Sequence, residues 1–236
     1  MGAVGLAAAL TNKVDIATCP FRHVNPKLQD GMHFILIMPI MVCGDLHDQL
    51  TMPYFASLPE KTIASMFKTI ASAVALMHSK GIAHGDIKAE NVLFGQKGQN
   101  DIVLCDFDAA HDASKPPPLR IYTKHYASPE VLANLKRIAN GIPLKTMGTP
   151  SDVWALGVLL YEMVYLDDPF FSLPEEGEGL TQHFVWSVQR GVYKFPLSRN
   201  ASIEVRDLIC SMLMPNPELR TTMDRVMKHP FVTSAV

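Results

Sequence analysis

Residues 84–94 read His84-Gly85-Asp86-Ile87-Lys88-Ala89-Glu90-Asn91-Val92-Leu93-Phe94. After a polar turn, residues 102–108 read Ile102-Val103-Leu104-Cys105-Asp106-Phe107-Asp108. Two short apolar runs separated by a polar turn predict a hairpin, and the polar groups fall in the loops beside it. Asp86 and Asn91 are five residues apart with Lys88 between them, and Asp106 follows the hairpin. These residue types suit phosphoryl transfer. One Asp can orient a hydroxyl and accept its proton, an Asn and a second Asp can hold Mg²⁺, and a Lys can neutralise charge on the migrating group.

An isolated Asp-x-x-x-x-Asn is ordinarily a turn or a helix cap, so the weight rests on the joint pattern. That pattern resembles the catalytic and metal loops of the protein kinase family, H-R-D-L-K-x-x-N followed by D-F-G. The chain has H-G-D-I-K-A-E-N and D-F-D, departing at Gly85 and Asp108. The resemblance implies Asp86 as base, Lys88 on the γ-phosphate, Asn91 and Asp106 on Mg²⁺ and Leu93 under the adenine. His84 and Phe107 would support the two loops. Gly85 stands in place of an Arg that answers an activation-loop phosphate, so activity is expected not to need that phosphate. Asp108 stands in place of a Gly that gives the metal loop freedom at positive φ, a conformation Asp tolerates better than most residues.

Composition sets the frame. The chain has 236 residues, 48% of them apolar, with a net charge of −2. That is one large domain or two small lobes with material for a sizeable core. No global basic field points to nucleic acid. Cys19, Cys43, Cys105 and Cys210 form no C-x-x-C pair, which indicates neither a zinc site nor a disulfide framework. Three of them lie among apolar neighbours and read as core thiols of a reducing compartment. A cytoplasmic location follows, the nucleus included. No apolar run approaches the roughly 20 residues of a membrane span. The Met1-Gly2 start lacks the basic region of a signal peptide, and Leu6 occupies the position where a myristoylation site has Ser or Thr.

In chain order, Lys13–Cys19 is a short helix candidate before the breakers Pro20 and Pro26. The Arg22–Pro26 segment resembles the turn that follows the regulatory helix of a kinase small lobe. His33–Met38 reads as a buried strand ended by Pro39. By the resemblance it leads into an adenine-gripping hinge, with Met38 as gatekeeper, the backbone of Pro39 and Met41 on the purine edge, and Asp45 near the ribose. Residues 60–80 have helical periodicity, with Gly81 as C-cap and His78 as an end-of-helix residue. Pro116-Pro117-Pro118 predicts an extended, solvated segment. Ser128-Pro129-Glu130 stands where kinases have A-P-E. Thr123, seven residues before Glu130, is implied to bridge the catalytic Asp86 and Lys88. With Lys88, that favours Ser/Thr over Tyr specificity.

Residues 131–150, with Lys136, Arg137 and Lys145, read as an inserted loop. Ser151 is then the expected cap of a hydrophobic helix that opens D-V-W-A-L-G. The resemblance gives Asp152 the task of bracing the catalytic loop, and a buried carboxylate needs such partners. Glu175–Gly179 reads as an acidic surface loop and 205–214 as a helix. Asn216-Pro217-Glu218-Leu219-Arg220 resembles the family's D-P-x-x-R, which implies a buried ion pair between Arg220 and Glu130. Glu90 and Glu162 match positions that bind basic residues in substrates of some kinases.

The implied fold is α+β and kinase-like. Residues 1–42 are a remnant of the small lobe and hinge, and 43–234 the mostly helical large lobe. A Gly-rich loop and a V-A-I-K strand are not found before the hinge segment. Only Lys13 and Lys27 precede it, and the first Glu is Glu60. Roughly the first 50 residues of a typical kinase domain are therefore expected to be absent. Three functions compete: an ATP- and Mg²⁺-dependent Ser/Thr protein kinase, a pseudokinase scaffold built on the large lobe, and a small-molecule phosphotransferase, whose H-G-D-x-x-x-x-N is also similar.

Overall fold

The computed structural model describes residues 40–96, 98, 101–117, 123–170, 182–197 and 199–234, together with the backbone of 23–24 and 36–37. Helix 13–19, the acidic loop 175–179, Cys19, Met38 and Pro39 lie outside the described residues. Their readings stay as expectations.

A helix that is apolar on every side can only be stable if it is enclosed. Helix α4 (Pro150–Tyr165) meets that condition: every residue in it except Pro150 and Glu162 is buried. It is the axis of the molecule. Helix α2 (Glu60–Ser79) packs across it, burying Ile63, Met66, Phe67, Ile70, Val74 and Met77 on one face. Gly81 turns the chain at the end of α2 with φ 72°, a conformation that suits Gly. Helices α5 (Gln182–Arg190) and α6 (Ile203–Met212) follow in the chain, and α6 packs against α4. Gly157 permits that approach, because a Cβ there would come within 2.9 Å of Met212 and Leu213 side chains. Helices α7 (Met223–Lys228) and α8 (Pro230–Thr233) close over α2. The Glu60 carboxylate accepts from the Ser202 backbone N–H at 2.8 Å, joining the start of α2 to the cap of α6.

Three two-stranded antiparallel ladders accompany the helices among the described residues. Strand β1 (His23–Val24) pairs with β2 (Leu36–Ile37), β3 (Ile82–Ala83) with β6 (His111–Asp112), and β4 (Val92–Phe94) with β5 (Ile102–Leu104). The last pair is the hairpin expected from the central stretch, in the register Val92↔Leu104, Leu93↔Val103 and Phe94↔Ile102. Short helix α1 (Leu46–Thr51) is capped by Asp45, which accepts from Asp48 N–H at 2.8 Å.

Several expectations are corrected. Residues 131–150 are not one inserted loop: helix α3 (Pro129–Ala139) occupies the first half, capped by Ser128. The rest is pinned by Asn134, which is 1% exposed, donates to Lys145 O (2.9 Å) and accepts from Lys145 N–H (3.0 Å). Ser151 is not the cap of α4 but lies inside it, its hydroxyl turned back to Gly148 O. Cys43 and Cys210 are exposed and Cys105 half-buried, so none of these three is a core thiol. Val24 and His23 form a strand rather than the expected turn. Pro117 is buried, not solvated. Helix α6 begins at Ile203, two residues before the expected start, because Ser202 caps it.

Candidate active site

The loop after β3 puts Asp86 and Lys88 side by side. Lys88 Nζ lies 2.9 Å from Asp86 Oδ2, and each side chain is about one-fifth exposed, at 20% and 19%. Thr123 completes the group. Its hydroxyl donates to Asp86 Oδ1 at 2.9 Å and accepts from Lys88 Nζ at 3.2 Å. Burial opposes the Lys88 charge, but the Asp86 bond and the nearby Glu90 and Asp106 outweigh it and raise its pKa. Lys88 therefore stays a cation.

Asn91 is buried at the foot of this group. Its amide NH₂ donates to Asp86 O (2.7 Å) and Asp86 Oδ2 (3.3 Å). Both donors are thus spent toward Asp86, which leaves the amide oxygen as the atom available to a cation. Cys105 N–H donates to Asn91 O at 2.9 Å, tying the catalytic loop to the segment that carries Asp106.

Asp106 is itself left-handed (φ 58°), and its carboxylate accepts from Asp108 N–H at 3.4 Å. The positive φ of this loop therefore sits at Asp106. Asp108 lies in the single 3₁₀ turn Phe107–Ala109 and does not occupy a positive-φ position, contrary to expectation. His84 is fully buried and packs against Phe107 with ring centroids 5.2 Å apart. Burial lowers its pKa. The neutral ring uses both nitrogens: Nε2 donates to Cys105 O (3.1 Å), and Nδ1 accepts from Asp86 N–H (3.3 Å).

The loop rests on Asp152 of α4. Its carboxylate accepts from His84 N–H (2.7 Å), Gly85 N–H (2.9 Å) and His78 Nε2 (2.8 Å). Burial opposes its charge, yet these donors hold its pKa below the usual carboxylate range. Farther back, Arg220 (4% exposed) grips Glu130 with two bonds, at 2.6 and 3.0 Å. It also donates to Pro150 O and Met214 O and stacks on Trp154.

Of the nucleotide-pocket residues read from sequence, Met41 is half-buried. Asp45 and Leu93 are brought together in a β-bridge. Cys43 N–H donates to Phe94 O, and Phe94 N–H donates to Gly44 O, so this segment extends the β4 edge.

Tyr126 was not singled out by sequence reasoning. Its hydroxyl accepts from Ala89 N–H (3.1 Å) and donates to Glu162 Oε2 (2.5 Å), bridging the catalytic loop to α4. Burial pushes the Glu162 carboxyl up to about 8 and raises the Tyr126 hydroxyl as well. A Tyr three residues after Thr123 carries no local signal of that role.

A model described as the protein kinase domain matches residues 24–232. The chain belongs to the protein kinase family. A probable serine/threonine-protein kinase HSL1 of Saccharomyces cerevisiae is 33% identical over 201 residues, covering 84% of this chain and 12% of that protein. The human ribosomal protein S6 kinase alpha-1 is 30% identical over 215 residues, 86% of this chain and 27% of the relative. MAP kinase-activated protein kinase 2 of Cricetulus longicaudatus is 29% identical over 203 residues, 84% of this chain and 58% of the relative. The chain thus spans between about an eighth and three-fifths of these relatives. It is a Ser/Thr kinase-like domain of α+β architecture, which sets aside the small-molecule phosphotransferase reading. ATP and Mg²⁺ use and protein substrates are general to this family. Among the described residues, no group of three or more His, Cys, Asp or Glu side chains gathers as a metal site, and no helix is long and apolar enough to cross a membrane.

Proposed function

We propose that this domain transfers the γ-phosphoryl group of ATP to Ser or Thr hydroxyls of protein substrates, with 43–234 as its large lobe and 1–42 as the small-lobe and hinge segment. The observation that carries the reading is the Lys88–Asp86–Thr123 cluster, in which Thr123 contacts both partners. Asp86 would take up the substrate hydroxyl and accept its proton. Lys88 would meet the charge on the transferred group. Thr123 fixes both side chains, so neither needs to reorganise when substrate arrives.

Asn91 and Asp106 would hold Mg²⁺, and their amide and carboxylate oxygens suit a hard cation that also takes phosphate ligands. Bound there, Mg²⁺ neutralises charge on the terminal phosphates. The purine would lie on Leu93, with the backbone of Pro39 and Met41 at its edge, Met38 behind it and Asp45 toward the ribose. Exposed Glu90 supports a preference for basic residues near the phosphorylated site. Glu162 would join it once an arriving cation displaced its proton.

The test is Mg²⁺-dependent nucleotide binding together with phosphorylation of a basic Ser/Thr peptide. Asp86→Asn should leave binding intact and lower the phosphorylation rate roughly 10²–10⁴-fold. If the unsubstituted chain neither binds Mg²⁺–nucleotide nor phosphorylates the peptide, the reading fails.

A scaffold function is the second reading. The observation favouring it is that the central motifs depart from the family pattern at two positions, Gly85 in place of Arg and Asp108 in place of Gly, the second adding a carboxylate that would repel phosphate. Partner binding that persists unchanged in Asp86→Asn, without detectable nucleotide binding, would favour it.

A further inference from the structure

Gly85 has φ 81°, and its N–H donates to Asp152 Oδ1. A Cβ built at this position would lie 2.7 Å from Ala109 O, with Ala109 C and Ala109 Cβ both at 3.3 Å. The nearest obstacle is backbone, which cannot swing aside as a side chain can. The Ala109 peptide therefore occupies the space that any side chain at position 85 would need.

Ala109 ends the 3₁₀ turn that Asp106 caps. Its carbonyl accepts from His111 Nδ1 at 3.0 Å. Because the partner is a carbonyl, that nitrogen carries the proton. Nε2 of the same ring is buried and has no hydrogen-bond partner among the described residues. His111 is 8% exposed and pairs across the ladder with Ala83, two residues before Gly85. The turn is closed by Ala110 N–H donating to Phe107 O (3.0 Å), and the end of the following strand is tied back by Ala113 N–H donating to Gly81 O (2.9 Å).

We propose that Gly85 is a positioning residue: its missing side chain seats the Ala109 carbonyl on the catalytic loop beneath His111, and this contact fixes the turn carrying Asp106 relative to Asp86. Gly85 then does more than omit an Arg. It substitutes a direct backbone contact between the two loops. The proposal rests on the reading of Asp106 as a ligand for the divalent cation that accompanies a nucleoside triphosphate.

Hydrogen exchange and Mg²⁺ titration on the full chain test it. In Gly85→Ala, the Ala110 and Ala113 amides should exchange at least tenfold faster, while amides of α4 and α6 keep their protection. With a fluorescent ADP analogue as probe, the Mg²⁺ concentration for half-maximal binding should rise about tenfold, with binding at saturating Mg²⁺ retained. Adding Ala109→Gly removes only the Cβ contact at 3.3 Å and leaves the carbonyl 2.7 Å from the new side chain, so the double variant should stay close to Gly85→Ala. His111→Asn keeps an N–H donor and should resemble the unsubstituted chain, whereas His111→Leu should resemble Gly85→Ala. Unchanged exchange in Gly85→Ala overturns the proposal. So does a uniform loss of protection that reaches α4 and α6, with His111→Asn and His111→Leu indistinguishable. If the unsubstituted chain binds no Mg²⁺–nucleotide, the phosphotransfer reading fails, and the exchange measurements still decide whether the Gly85–Ala109 contact holds the turn.

Discussion

Asp152 and Glu162 are carried by the same buried helix, and both have lost most of their water. Their ionisation nevertheless goes in opposite directions. Asp152 is held below the usual carboxylate range, whereas Glu162 is pushed up to about 8. The difference lies in the donors. Two backbone N–H groups and the His78 ring converge on Asp152. Glu162 has one phenolic donor, Tyr126, with Asp168 and Glu90 adding negative charge nearby. Burial by itself favours the neutral acid, and only donors aimed at the carboxylate reverse that. Asp152 is therefore a fixed anion under the catalytic loop, and Glu162 holds a proton that an approaching cation could displace.

The largest effect should come from breaking the fixed anion. Asp152→Ala leaves the His84 and Gly85 amides and the His78 ring without their acceptor in a closed site. Stranding such groups costs on the order of 3–5 kcal/mol. Urea denaturation should show that loss, and Mg²⁺–nucleotide binding should weaken with it. A loss below about 1 kcal/mol would mean that the loop is held by its packing alone and that Asp152 adds little.

Next comes the other buried charge. Arg220→Met takes this donor from the Glu130 carboxylate and from the carbonyls of Pro150 and Met214, and should cost about 3 kcal/mol. Glu130 is 16% exposed and can recover some water, so the effect should be smaller than at Asp152. Changing Glu130→Gln together with Arg220→Met should cost less than the two single changes added. A double-mutant cycle that found the pair additive would show that the two bonds carry no coupling.

Much of the fixed part was legible because it is written in local motifs. D-V-W-A-L-G announces a carboxylate inside an apolar helix, which has to find donors. Thr123 and the Glu130–Arg220 pair follow from spacing within the resemblance to the family. What was not legible depends on which way an element faces. Cys210 lies between the buried residues Ile209 and Met212 yet is exposed on α6. The Lys and Arg residues of 131–139 suggested a loop, although Ser128-Pro129 is a good helix start and Val131 and Leu132 supply a buried face. Asn134 turns inward to clamp Lys145, which no periodicity reveals. At the metal loop, the family pattern places positive φ at Asp108, where it has Gly, but the chain turns left-handed two residues earlier, at Asp106.

The smallest effect belongs to Glu162, and pH separates it from the others. The folded pKa of about 8 lies above the unfolded value of 4.5. Between those values the unfolded chain has released the proton while the folded chain keeps it. The unfolded state then binds fewer protons, so this group's contribution to stability is full below about pH 4.5 and is lost as pH rises toward 8. Glu162→Gln keeps an oxygen for the Tyr126 hydroxyl and has no proton to lose. The variant should match the unsubstituted chain near pH 4.5 and be more stable by on the order of 2–3 kcal/mol near pH 6.5, with the gap still widening toward pH 8. Paired urea titrations from pH 4.5 to 8.5 measure the difference directly. A gap that stayed constant with pH would mean that Glu162 is already ionised at pH 5. It would then be held by its donor much as Asp152 is, and the two ends of α4 would not differ in kind.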